Sequence, residues 1–120
     1  MHKLKLSPSM SPPFTAQLEV LDAALPYTWE LYTNRSDATW NPHKLGSGSQ
    51  QKAACHCPAE WPGRGHILQW EAAVQIFDAE PVQVRVRATL RDAHGRLEEI
   101  MTTKSVGRAR SKFSIAVAIE

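Results

Sequence analysis

The chain has 120 residues, of which 42% are hydrophobic and 22% charged, with 14 Lys+Arg against 12 Asp+Glu. These values sit near the globular average and exclude a fibrous repeat or a largely disordered chain, and the length is enough for one core without metal or disulfide staples. A formal charge of +2 is too small to argue for nucleic acid or an anionic membrane by itself.

No apolar run near the N-terminus reaches signal-peptide length, and none elsewhere approaches the roughly 18 residues of a membrane helix. The expectation is a soluble, cytoplasmic protein without a membrane span, with leaderless export or a removed signal left open. Residues 2–6 read as a first short strand with Leu4 and Leu6 inward. Next, Phe14, Ala16, Leu18 and Val20 alternate with Thr15, Gln17 and Glu19. A period of two marks a half-buried strand, because successive side chains point to opposite faces. Tyr27, Trp29 and Leu31 alternate with Thr28 and Glu30, and the short connection at 22–26 suggests that 14–21 and 27–33 pair.

Residues 34–65 break this pattern. They are aperiodic and dense in Gly, Ser and Pro, so the expectation is one long irregular loop, unusual inside a compact domain and a common place for function. A short helix after the potential cap Ser49, ended by Pro58, or a short strand near 38–40, would be the exceptions. Segment 66–77 places Leu68, Trp70, Ala72, Val74 and Ile76 in strict alternation. That favours strand over the helical stripe Ile67, Trp70, Val74 and Phe77. Trp29 and Trp70 are assigned to the core.

The clearest strand is 82–91, with Val82, Val84, Val86, Ala88 and Leu90 on one face and Gln83, Arg85, Arg87, Thr89 and Arg91 on the other. Asp92-Ala93-His94-Gly95 has the Asp-first, Gly-fourth signature of a type I turn, so 96–106 returns as a hairpin. Leu97 and Ile100 are three apart, and a β-bulge is expected to re-aim one face there. The last strand, 112–119, puts Phe113, Ile115, Val117 and Ile119 together. About seven short strands and no sustained helix predict an all-β, immunoglobulin-like or related two-sheet β-sandwich, with residues 1–120 forming a single domain.

Three kinds of binding chemistry are visible. Cys55, Cys57, His56, His43 and His66 supply soft and imidazole ligands, but Cys-His-Cys lacks the Cys-x2–4-Cys spacing of structural zinc. The same thiols are the candidate nucleophile; no catalytic signature surrounds them, and no enzyme activity or cofactor is expected. Two cysteines two residues apart read as free thiols, since a bridge would close a strained ring. In the loop, Trp40, Asn41, Trp61, Arg35 and Arg64 could stack on and hydrogen-bond a sugar or other ligand.

Charge is uneven, with eight of the basic residues between 85 and 112. Arg85, Arg87, Arg91 and Arg96 form a basic strand face without interleaved aromatics, which argues against nucleic acid and for an acidic protein partner. The leading functional expectation is a non-catalytic module for protein–protein recognition or self-association, through the loop, this basic face or an edge strand. A lectin-like carbohydrate- or ligand-binding domain is the alternative, and a thiol/imidazole metal-binding protein the third.

Overall fold

The computed structural model describes residues 2–5, 10–11, 13–21, 26–35, 43–52, 54–57, 65–76, 80–108 and 111–120, and of Arg35 only the backbone. These residues form two β-sheets packed together. The strands in chain order are β1 (His2–Leu4), β2 (Thr15–Val20), β3 (Tyr27–Arg35), β4 (His43–Ser49), β5 (Ala54–His56), β6 (His66–Val74), β7 (Val82–Arg91), β8 (Leu97–Val106) and β9 (Lys112–Ile119). The first sheet has the order β1-β9-β6-β3-β4 and the second the order β5-β2-β7-β8. Pairing is antiparallel except between β1 and β9, which run parallel.

The inner faces are the alternating apolar rows of the sequence. Tyr27, Trp29 and Leu31 of β3, Leu68, Trp70, Ala72 and Val74 of β6, and Ile115, Val117 and Ile119 of β9 are buried on the first sheet. Ala16, Leu18 and Val20 of β2 and Val84, Val86, Ala88 and Leu90 of β7 are buried on the second. Segment 66–77, whose alternation favoured strand, is strand over His66–Val74, and Gln75 and Ile76 lie beyond its end. Burial of these rows against each other supplies the main folding free energy, at roughly 25 cal/mol per Å² of apolar surface. The Tyr27 hydroxyl reaches across to the Leu18 carbonyl at 3.4 Å, a long polar contact between the sheets.

Three expectations are corrected. Strands β2 and β3 do not pair. They lie in different sheets, β3 in the first and β2 in the second, and each turns its buried face to the core between them. The 34–65 stretch is not one irregular loop. Strand β3 runs on to Arg35, and β4 and β5 occupy part of the remainder, giving nine strands among the described residues. Nor does a helix follow Ser49. Its Oγ accepts the Lys52 amide at 3.1 Å and its own amide donates to the Lys52 carbonyl at 2.8 Å, so the cap closes a tight turn into β5. The suggested strand near 38–40 lies outside the described residues.

Strand β4 was hidden because its sequence, His-Lys-Leu-Gly-Ser-Gly-Ser, has little β-favouring or apolar character. The packing explains that composition. A Cβ at Gly48 would fall 2.3 Å from Cζ2 of Trp29 and 2.6 Å from the Lys52 carbonyl oxygen. A Cβ at Gly46 would fall 2.7 Å from Sγ of Cys55. The glycines make room for an indole and a thiol.

The third correction concerns 96–106. The β7–β8 ladder runs without interruption from Val82↔Val106 to Arg91↔Leu97, and no bulge occurs in it. The irregularity lies instead between Leu31 and Tyr32, where β3 pairs with β4. The turn between β7 and β8 follows the sequence. Gly95 has φ +81°, a region open to glycine at little cost. The Asp92 carboxylate is buried and accepts the amides of Arg96 at 2.7 Å, His94 at 3.0 Å and Ser11 at 3.1 Å. It thus ties the N-terminal segment to the hairpin.

Two outcomes follow. Gly48→Ala overpacks against Trp29 and should cost about 1–3 kcal/mol in urea unfolding; an unchanged midpoint would show that the indole moves aside. For Asp92, burial pushes the carboxyl up, but amides of Ser11, Arg96 and His94 outweigh it and hold its pKa below the ordinary value. Its stabilising effect is therefore complete above the unfolded carboxyl pKa of about 4 and fades as pH falls through the lower folded value. Asp92→Asn should unfold earlier in urea at neutral pH and lose less additional stability on acidification than wild type. Parallel pH profiles for the two proteins would contradict this.

Candidate interaction surface

The outer face of the second sheet is built by register. Across β5, β2, β7 and β8 one row reads His56, Thr15, Arg91, Leu97, and the next reads Ala54, Gln17, Thr89, Glu99. Below these, Glu19, Arg87 and Met101 form a third row, and Arg85 lies opposite Thr103. The face therefore brings together Arg85 and Arg87, about 7 Å apart along β7, and Arg91, about 14 Å beyond Arg87. Arg96 stands exposed in the turn that feeds β8.

The arginines are not equivalent. Arg87 is held by Glu19, with Nη2 at 3.0 Å from Oε1 and 3.1 Å from Oε2, and Gln17 donates to the same carboxylate at 2.9 Å. Such a multiply bonded charge pair fixes the guanidinium against the Glu19 carboxylate. Thr89, although it points outward, is buried beneath its neighbours. Arg91 is exposed beside Leu97.

Strand β8 is the rim of this face. It ends the second sheet and, among the described residues, pairs only with β7. Its inward positions are Glu98, Ile100, Thr102, Lys104 and Val106; Leu97, Glu99, Met101, Thr103 and Ser105 point outward. Leu97 and Met101, 46% and 47% exposed, are the large hydrophobic side chains left open to solvent among the described residues. Sequence reasoning missed them as a pair. The signal was their four-residue spacing, equal to the period-two faces of an unbulged strand.

The thiol and imidazole residues do not converge. Strand alternation turns Cys55 and Cys57 into the core, and exposes His56, whose Nδ1 lies 3.3 Å from Thr15 Oγ1. His43 is exposed at the start of β4 opposite Thr33, and His66 begins β6 opposite Arg35. Among the described residues no group of three or more His, Cys, Asp or Glu could hold a metal ion. Both cysteines are free. Burial pushes the Cys55 thiol up, partly countered by Lys52, and burial together with Cys55 pushes Cys57 up to about 12. Burial thus disfavours the thiolate form at both positions.

Trp40, Asn41, Trp61 and Arg64 lie outside the described residues, as does the Arg35 side chain. The outer face of the first sheet carries a depression of about 320 Å³ lined by Thr28, Glu30, Glu71, Ala73 and Lys112, among others. Glu30 and Glu71 stand directly opposite one another. Hydrogen bonds from Tyr32 and then Lys44 hold the Glu30 carboxyl below its usual range, and Gln69 donates to Glu71. The volume is at the low end for ligand sites.

No protein-family model, curated protein or solved structure matches this chain. No helix among the described residues is long and apolar enough to cross a membrane.

The buried thiols give a direct check. In native protein at pH 8, Cys55 and Cys57 should react with a thiol reagent at least about a hundredfold more slowly than in denaturant. Rapid native labelling of either would show that its thiol is accessible.

Proposed function

We propose that this chain is a non-catalytic protein-recognition module, an immunoglobulin-related sandwich that engages another polypeptide through β8 and the adjoining basic face. The observation that carries this reading is the placement of Leu97 and Met101. Both occupy the outward face of an edge strand, opposite Arg91 and Arg87. Apolar anchors beside arginines are the usual makings of a protein contact. An edge strand adds a row of backbone donors and acceptors that a partner strand can pair with. The protonated state of both thiols supports a binding role over a cysteine-based reaction. Two facing sheets of short, mainly antiparallel strands support the immunoglobulin-like relation.

Site-specific photo-cross-linking tests the surface. A photoreactive residue at Thr103 should form a covalent adduct with a polypeptide in cells, whereas one at Ala73, on the outer face of the first sheet, should not. Adding Leu97→Asp and Met101→Asp should reduce the adduct by at least about tenfold. Equal adducts at both positions, or none at Thr103, would remove this surface from consideration.

A further inference from the structure

We propose that the partner of the β8 edge is a second copy of the chain, joined by antiparallel β8–β8 pairing centred on Met101. This rests on the reading of β8 as a binding edge and adds the identity and register of its occupant.

The other edges offer less. Strands β1 and β5 have three residues each, and β4 lies against β5, with Gly46 packed on Cys55. Strand β8 has ten residues and, among the described residues, no second neighbour in its sheet. An edge this long invites pairing unless something prevents it. Its inward face carries two half-buried charges of opposite sign, Glu98 and Lys104. Neither forms an ion pair among the described residues.

Those charges are placed symmetrically. Glu98 lies three residues before Met101 and Lys104 three residues after it. In a two-fold antiparallel pair about Met101, each Glu98 faces the Lys104 of the other copy, twice over. Ile100 then faces Thr102, and Glu99 faces Thr103. Met101, one of the two exposed large apolar side chains among the described residues, meets its own copy at the centre. An interface of this kind is isologous, and self-complementarity is what closed two-fold symmetry demands.

The neighbouring registers that keep both inner faces on the same side are disfavoured. Centring on Ile100 sets Lys104 against Arg96. Centring on Thr102 sets Lys104 against Ile100 and Glu98 against Val106. Inward charges usually discourage edge pairing; here their signs and spacing discourage both neighbouring same-face registers and favour the one centred on Met101. The result is a continuous eight-stranded sheet made from two four-stranded ones. A single strand pair buries less than a standard interface of about 1,600 Å², so the dimer is reversible and concentration-dependent.

Sedimentation of the wild-type protein at concentrations up to about 1 mM should show a shift from the monomer mass to twice that mass. Directly opposed strand residues have Cα atoms about 4.5–5.5 Å apart, within disulfide range. The M101C variant should therefore oxidise to a covalent dimer, while E99C and T103C, each displaced from its own copy by about four residues of strand, should not. E98K and K104E should each weaken dimerisation by about tenfold or more, and the double variant should recover wild-type affinity within about threefold. The charge variants are judged only if they unfold like wild type; should they misfold, the cysteine series decides alone.

Monomer mass throughout the range, cross-linking of E99C or T103C as fast as M101C, or no recovery in a folded double variant would each overturn the proposal. If the wild type is monomeric yet Thr103 still cross-links to a different polypeptide, self-pairing fails and the recognition surface stands. If both fail, the recognition surface fails as well.

Discussion

Trp29 needs space that only glycine can leave. Its indole lies over Gly48, close enough that a Cβ there would fall inside the ring's contact distance. That demand fixes the composition of β4, and the same strand yields again at Gly46 to the Cys55 thiol. One side of the sandwich is thereby closed, because β4 and β5 come together where their side chains are smallest. The cost is a strand with little intrinsic preference to be one, held by its ladder to β3 and by packing. Interiors packed to crystal density tolerate such exchanges only when volume is matched residue by residue.

Closing that side leaves the long edge at β8. There the inner face changes character, from the fully buried valines of β7 to a row that begins with Glu98 and includes Lys104. Charges at those positions would be costly in the centre of the sheet, where they could not reach water. At an edge they stay half-solvated. The outward face also changes along the row. Arg87 is neutralised in place by Glu19, whereas Leu97 and Met101 are left uncovered. Polarity on this sheet is thus arranged by distance from the closed side. Its interior rows are internally satisfied, and its rim keeps unspent interactions.

Strand geometry also decides the fate of the cysteines. In Cys-His-Cys the period of two sends both thiols one way and the imidazole the other. A sequence that crowds five potential ligands into one region reads as a site only if the chain between them can curl. In an extended segment the ligands are dealt to opposite faces. Desolvation then keeps the thiols protonated, with Cys57 pushed up to about 12, so they act as small apolar side chains packed against a neighbouring strand.

The period-two rows of 14–20, 27–31, 82–91 and 112–119 determined by themselves which segments are strands and which side chains face the core, and in 66–77 the alternation favoured strand over a helical stripe. Asp92 and Gly95 likewise determined the turn between β7 and β8, because that turn's chemistry is local. Strand β4 escaped detection because its glycines answer to Trp29 and Cys55, which approach from elsewhere in the chain. The bulge expected near Leu97 had the same origin. Facing assignments in 97–106 depend on register with β7, and a partly polar edge strand carries no clean apolar row to reveal it. Sheet membership was equally hidden, since alternation says that a face is buried without saying against what. The separation of β2 from β3, the edge position of β8, and the meeting of Arg87 with Glu19 and of Arg91 with Leu97 were decided only by the tertiary structure. Hydrogen-bond partners across strands are chosen by how two whole sheets pack, and no local pattern encodes that choice.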